Sequence, residues 1–288
     1  MYLIGIDLDG TLLSSNGTVS SYTKEMIKKV QKAGHKIIIA TGRHPLLTIP
    51  ILKELGLKDA FVCFNGAYIH LLTDKLPITS SYHPYYLERL LPFLQEREYK
   101  FVFGTERRYY LYAKFAKHLE HLSHLPVPIH LIESIDEMKE PILKTSIIGK
   151  ESELIELEEE VQSMAKELTI FRSAAESMDI IHPNASKGKA IAYLGDYYKI
   201  DRSKMIAFGN YFNDVDMLSY VPIGVAMDNA PDYLKLSSSY VTKTNDQDGV
   251  AYFLEKFLLD SEGGGQKFLA SCSSRKKSLL SNGRGTVV

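Results

Sequence analysis

The chain has 288 residues, 45% hydrophobic and 24% charged, which predicts roughly two globular domains and excludes a disordered or collagen-like chain. Lys+Arg 34 against Asp+Glu 35 leave a formal charge of −1, so no overall basic field argues for a nucleic-acid partner. Cys63 and Cys272 are the only cysteines, too few for a disulfide framework and in keeping with a reducing compartment.

Tyr2 to Ile6 is a short apolar run ending in Asp7-Leu8-Asp9-Gly10-Thr11, which reads as a buried strand closed by a turn. The two aspartates stop the run where a secretory signal would continue. A helix is expected from Ser20 or Ser21 to about Ala33, with Met26, Ile27 and Val30 on one face and Gly34 as the stop. His35–Ala40 and Ala60–Phe64 read as further strands, and Leu46–Leu55 as the helix between them. The apolar stretch Ala60–Thr73 is too short to span a membrane and is broken by Asn65-Gly66. A cytoplasmic protein with no membrane partner is expected. Strand and helix in alternation predict a parallel sheet with helices on its faces.

The rhythm changes between about Ile78 and His182. Pro84–Glu98 is expected to be one helix, and Lys100–Gly104 with Tyr109–Tyr112 a hairpin. Ala113–Ser123 reads as helical, with His118, His121 and His124 as the polar edge of an amphipathic face rather than metal ligands. Ile142–Ile148 follows as a strand. In the helix Glu151–Leu168 the apolar residues Leu154, Leu157, Val161, Met164 and Leu168 recur at helical spacing. Thr169–Arg172 and Met178–His182 complete an inserted α+β module. The βα alternation then resumes: helix Lys187–Tyr197, strand Met205–Phe208, helix Asp214–Tyr220, strand Ile223–Ala226, a helix opening with Pro231 at its first position, and helix Val250–Leu258. Eleven of the last 28 residues are Gly or Ser, and residues 261–288 read as a flexible tail. The expected division is a core of 1–78 and 183–260 and an inserted cap of 79–182.

Four strand ends carry polar residues: Asp7 and Asp9, Thr41, Asn65, and Asn210 through Asp214. Functional crevices in open parallel sheets lie beyond the carboxyl ends of the strands, so these residues are expected at one rim, with Lys187 joining from the start of its helix. Carboxylates beside an ammonium suit a hard divalent cation, and that pair suits a phosphoryl group. Asp7-Leu8-Asp9-Gly10-Thr11 resembles the first motif of haloacid-dehalogenase-type phosphohydrolases. Thr41-Gly42-Arg43 resembles the second motif of their Cof-like branch, Asn184-Ala185-Ser186-Lys187-Gly188 the third, and Gly209-Asn210-Tyr211-Phe212-Asn213-Asp214 the fourth. Order and spacing agree over about Met1 to Leu258, and the insertion falls where this branch carries its cap.

The resemblance implies an α/β fold, a Rossmann-like parallel-sheet core with an α+β cap of type C2/IIB, and a Mg²⁺-dependent phosphatase. Asp7 would attack phosphorus to give an aspartyl-phosphate. Asp9, on the same side as Asp7 if the segment stays extended, would protonate the leaving oxygen and then deprotonate water. Thr41 would hydrogen-bond a phosphoryl oxygen, and Lys187 would neutralise developing charge. Mg²⁺ would be held around Asp7, the Asp9 carbonyl and Asn210, with Asn213 and Asp214 anchoring its waters and Lys187. Thr11, Arg43, Asn65, Gly66, Asn184 and Asn213 would face the substrate, a small phosphorylated metabolite with sugar phosphates foremost. Asn210 departs from the family's usual Asp and removes one negative charge from the cation site, which predicts weaker Mg²⁺ binding.

Some residues keep two readings. Arg43 suits a substrate phosphate or a structural ion pair equally, and Asn65-Gly66 reads first as a tight turn and second as a substrate contact. Two competing functions are a receiver domain holding a stable phospho-Asp7, at odds with the length, and a weakly catalytic or non-catalytic sugar-phosphate sensor. A dinucleotide-dependent oxidoreductase would need a Gly-x-Gly-x-x-Gly after the first strand, which is absent. Oligomeric state is not legible.

Overall fold

The computed structural model describes residues 1–73, 76–259 and 268–269, and, among these, not the side chains of 118–121. The expected tail, apart from 268–269, and the side chains of His118 and His121 thus lie outside the described parts. In chain order the elements are β1 (Leu3–Ile6), α1 (Ser21–Lys32), β2 (Lys36–Ala40), α2 (Pro45–Leu55), β3 (Ala60–Cys63), β4 (Tyr68–Leu71), β5 (Ile78–Thr79), α3 (Leu90–Glu96), β6 (Lys100–Gly104), β7 (Tyr109–Tyr112), β8 (Ile129–Ile132), β9 (Lys144–Ile148), α4 (Glu151–Met164), β10 (Thr169–Ala174) and β11 (Ser177–Ile181). They continue with α5 (Lys187–Tyr198), β12 (Met205–Gly209), α6 (Val215–Tyr220), β13 (Ile223–Ala226), α7 (Asp232–Ser237), β14 (Tyr240–Val241) and α8 (Gly249–Leu254). The chain forms two compact units: one of Met1–Ala40, Glu54–Ala60 and the residues from Lys187 onward, the other of Thr41–Lys53 and Phe61–Ser186. Among the described residues no helix is long and apolar enough to cross a membrane.

In the first unit five parallel strands run in the order β14-β13-β12-β1-β2. β1 is buried at every position, as a strand covered on both faces must be. α1 starts at Ser20, whose hydroxyl accepts from Thr23 N–H, and it buries Met26, Ile27 and Val30 as expected. The chain leaves β1 for β2 on one side and returns as β12 on the other. The order therefore reverses between β1 and β12, the place where crevices open in such sheets.

The second unit holds a six-stranded sheet in the order β10-β11-β9-β6-β7-β8. The β6–β7 hairpin is as expected, with Val102 opposite Leu111. Residues from α3, α4 and one face of this sheet, among them Leu91, Leu157, Phe101, Ile147 and Ile180, share a single apolar core.

Several expectations are corrected. Pro84–Glu98 is not one helix: a 3₁₀ turn at Pro84–Leu87 precedes α3. Pro92 has no N–H to continue a helix begun earlier, but sits harmlessly in the first turn of a new one. Ala113–His124 is 3₁₀ rather than α, and α4 stops at Met164 because Ala165 leaves helical geometry. Pro231 is the residue before α7, with ψ 149°, not its first helical position. The short strands β4, β5, β8 and β14 carry too few residues for a periodic signal and emerge only from pairing.

Candidate active site

The first unit concentrates its buried charge at the reversal between β1 and β12. Asp7 follows directly on β1 and its N–H donates to Phe208 O on β12 at 3.1 Å, which places its carboxyl at the strand ends. Lys187, the first residue of α5, is completely buried. Its Nζ donates to Asp7 Oδ1 at 2.6 Å and to Asp214 Oδ1 at 2.7 Å. A buried ammonium is tolerated only when paired and hydrogen-bonded in this way.

The same loop uses the rest of Asp214. Its Oδ2 accepts the N–H groups of Asn210 at 2.9 Å and Tyr211 at 3.1 Å, so both carboxylate oxygens are engaged by the protein. Thr11 Oγ1 donates to Asn210 Oδ1 at 2.9 Å, which ties the loop after β1 to the loop after β12. Gly10 lies between them with φ 72°, and a Cβ there would fall 2.4 Å from Asn210 Nδ2. Only glycine accommodates both the left-handed backbone and that approach.

Electrostatics follow from the geometry. Burial drives the Asp7 pKa upward to about 7, with Asp214 and Asp9 adding to the rise and Lys187 opposing it. Burial also works against the Lys187 charge, but Asp214 and Asp7 together outweigh it and hold its pKa above the ordinary lysine value. Asp9, by contrast, is exposed. The expected extended geometry from Asp7 to Asp9 does not occur: the strand ends at Ile6 and the chain turns, with Leu12 N–H donating to Asp7 O. Asn213 is half-buried in the 3₁₀ turn Phe212–Asp214.

The remaining expected residues belong to the second unit. Thr41 is buried, and its Oγ1 accepts from Arg43 N–H at 3.2 Å. Asn65 N–H donates to Thr41 O at 3.0 Å and Phe64 N–H to Arg43 O at 3.2 Å, which interlocks the two loops. Asn65 is buried with φ 54°, and its Nδ2 donates to Asp179 Oδ2 at 2.8 Å. Gly66, at φ 99°, passes so near Ser186 that a Cβ would lie 2.2 Å from its carbonyl oxygen. Asn184 is exposed, with its backbone N–H donating to His182 Nδ1 at 3.0 Å.

Sequence reasoning missed several supporting residues. Asn229 Nδ2 donates to Gly10 O at 2.8 Å and Asn245 Nδ2 to Leu13 O at 2.9 Å, while Asn245 N–H donates to Asn229 Oδ1 at 3.1 Å. Asp216 Oδ2 accepts Gly188 N–H at 2.8 Å at the start of α5. Their only signal was residue type, since asparagine and aspartate near turns are common for local reasons. Among the described residues no group of three His, Cys, Asp or Glu side chains is arranged to hold a metal ion. Both Asp214 oxygens are committed to protein donors, and position 210 supplies an amide. The donors that do suit a hard cation are oxygens: the Asp7 carboxylate, whose Oδ1 keeps a lone pair beyond the one Lys187 occupies, and the second lone pair of Asn210 Oδ1.

A buried carboxylate–ammonium–carboxylate bridge thus lies at the reversal point of a parallel sheet, in an α/β fold. The chain belongs to the haloacid dehalogenase-like hydrolases, whose family description matches residues 4–254, and within them it has the Cof-like, subclass IIB fold and is a phosphatase. A provisionally named phosphatase of Haemophilus influenzae is 33% identical over 261 residues, covering 87% of this chain and 95% of that protein. The 5-amino-6-(5-phospho-D-ribitylamino)uracil phosphatase YwtE of Bacillus subtilis is 29% identical, covering 90% and 98%. A haloacid dehalogenase-like hydrolase structure from B. subtilis aligns with TM-score 0.80 at 27% identity, covering 90% of this chain and 100% of that one.

Proposed function

We propose that the protein is a cytoplasmic, Mg²⁺-dependent phosphatase of small phosphorylated metabolites, sugar and polyol phosphates foremost, working through an aspartyl-phosphate on Asp7. The observation that carries this reading is the Lys187 bridge, which leaves one Asp7 oxygen held and the other available for attack. That oxygen forms a bond to phosphorus as the bond to the leaving oxygen breaks, and Asp9 gives the leaving oxygen its proton. Asp9 then takes a proton from the water that attacks the aspartyl-phosphate, releasing inorganic phosphate and restoring Asp7. Thr41 donates its hydroxyl to a phosphoryl oxygen, and Lys187 balances charge as it develops. Thr11, Arg43, Gly66, Asn184 and Asn213 complete the substrate surroundings in this reading.

The available oxygens fit Mg²⁺, which would be held by the Asp7 carboxylate, the Asp9 carbonyl and Asn210 Oδ1, with Asn213 and Asp214 behind them. When bound it supplies positive charge beside the phosphoryl group and favours the ionised form of Asp7. The functional division that goes with this reading is a core of 1–78 and 183–260 and a substrate-selecting cap of 79–182. Relatives named for a phosphorylated ribitylamino compound support a hydroxylated leaving group.

The test is hydrolysis of a panel of phosphate monoesters with Mg²⁺, run beside Asp7→Asn. The expected outcome is activity on small hydroxylated esters and a fall of at least about a thousandfold in Asp7→Asn, as for removal of a nucleophile. Retained activity in that variant would refute the aspartyl-phosphate route.

A further inference from the structure

Lys187 keeps its place through more than its own two ion pairs. It is the first residue of α5, and the N–H groups of a helix's first turn have no acceptor within the helix. The next of them, Gly188 N–H, donates to Asp216 Oδ2 at 2.8 Å. The other oxygen of that carboxylate, Oδ1, accepts the Met217 N–H at 2.8 Å in the first turn of α6. One side chain therefore serves the starts of two helices, and its negative charge lies at the positive end of the α5 dipole.

An aspartate in the first turn of a helix is ordinarily a local stabiliser, and its own helix explains the Met217 bond. The bond to Gly188 has no local explanation, since it joins residues 28 positions apart. Glycine makes room for it: a Cβ at 188 would stand 2.8 Å from Asp216 Oδ2 and 2.9 Å from the carbonyl carbon and oxygen of Asp216. The first turns of α5 and α6 thus approach more closely than any other residue at that position would permit. Asp214 is the residue immediately before α6, so the contacts close a ring. It runs from the Lys187 ammonium to Asp214, along the chain to Asp216, across to the Gly188 N–H and back to Lys187. A lysine charge sits on a flexible four-carbon stem, and closing the ring at its backbone end fixes where that stem begins relative to Asp214.

We infer that Asp216 is a positioning residue: by tying the start of α5 to the start of α6, it keeps the Lys187 ammonium between Asp7 and Asp214. The placement itself needs no substrate. Its consequence for turnover rests on the phosphatase reading, because an ammonium balances charge developing in a transition state only if it is already in place. Asp216 acts through Lys187 and not on the reacting atoms.

The experiment compares the wild-type chain with Asp216→Ala, Asp216→Asn and a control, Asp201→Ala. Asp201 also caps a helical turn of the same unit, but it serves the 3₁₀ turn Arg202–Lys204, where it accepts the Ser203 N–H at 2.8 Å. The first readout is the rate at which acetic anhydride labels Lys187, followed by peptide mass spectrometry at constant pH. Completely buried in the wild type, Lys187 should label slowly there. In Asp216→Ala the rate should rise roughly tenfold, within the range for losing a helix cap, and in Asp201→Ala it should rise far less. The second readout is kcat and KM on the monoester that the wild type hydrolyses best. Asp216→Ala should lower kcat about tenfold with KM moving less than about twofold, as for a misplaced transition-state contact. Asp216→Asn, whose amide oxygen can still accept the Gly188 N–H, should recover most of both losses. An equal rise in labelling in Asp216→Ala and Asp201→Ala would reveal only general loss of stability and would overturn the inference. Unchanged labelling in Asp216→Ala, an asparagine variant no better than alanine, or a raised KM with kcat intact would overturn it too. A wild type that hydrolyses no ester would sink the phosphatase reading alone, and the labelling rates would still decide whether Asp216 holds Lys187.

Discussion

At the scale of single residues, the site is an exercise in keeping charge buried. Lys187 is sealed between Asp7 and Asp214, so Lys187→Met should leave two carboxylates facing each other without a counter-ion. The expected cost is about 3–5 kcal/mol of stability, the range for breaking a buried pair, with activity lost beyond it. Denaturant unfolding at neutral pH checks the first part and residual turnover of still-folded protein the second. Asn210 makes the opposite experiment possible. Its amide oxygen accepts from Thr11, a role a carboxylate can also fill, so Asn210→Asp should keep the loop and add a negative charge toward the cation. The apparent Mg²⁺ affinity of the phosphatase reaction should tighten by roughly tenfold or more, since a unit charge about 4 Å from a divalent ion is worth roughly 2 kcal/mol even in a water-like dielectric. A Mg²⁺ titration that leaves the half-saturation point unmoved would remove Asn210 from the ligand set.

At the scale of elements, loops decide where the chemistry stands. The turn after β1 has few strand partners and is instead clamped from the C-terminal part of the chain by Asn229 on Gly10 and Asn245 on Leu13, with Asp246 accepting from the N–H and hydroxyl of Ser15. Asn229→Ala should cost about 1–2 kcal/mol of stability. It should also lower kcat more than it raises KM, since it loosens the loop carrying Asp9 rather than a binding contact. Stopped denaturant melts together with steady-state kinetics distinguish this from a purely structural loss. How much of each element was legible follows the same division. β1, α1, β2, β12 and β13 could be read because strong periodicity or an all-apolar run agreed with turn residues at their ends. The split of Pro84–Glu98, the 3₁₀ form of Ala113–His124 and the two-residue strands could not, because their boundaries depend on partners distant in sequence.

At the scale of the whole molecule, one buried histidine sets an acid limit on stability. His44 is fully buried, its Nδ1 accepts from Leu46 N–H at the start of α2, and its ring lies edge-on to Phe64 and Tyr109. Burial pushes its pKa down to about 4, with the Lys144 charge acting in the same direction and the Thr105 carbonyl opposing it. A protonated ring could no longer accept the Leu46 N–H. The sign is fixed by linkage: the unfolded chain takes up a proton near pH 6.5 and the folded one only near 4, so this contribution is whole above pH 6.5 and is lost as pH falls toward 4. Its size is on the order of 3 kcal/mol across that window. His44→Gln should flatten this part of the stability–pH curve, as read from urea midpoints between pH 7 and pH 4.5.

The fold class, the family and the approximate places of Asp7, Thr41, Lys187 and Asp214 were legible in sequence because each sits at a strand end or helix start marked by local chemistry. Local chemistry is carried by neighbours in the chain, so it can be read from the chain. The pairing of Lys187 with Asp7 and Asp214, the shift of Asp7, the Asn229 clamp and the Asp216 bridge from α6 to α5 were decided by tertiary structure alone. Each joins residues from 27 to 219 positions apart, and burial, which sets their energetics, is a property of the folded chain and of no single segment of it.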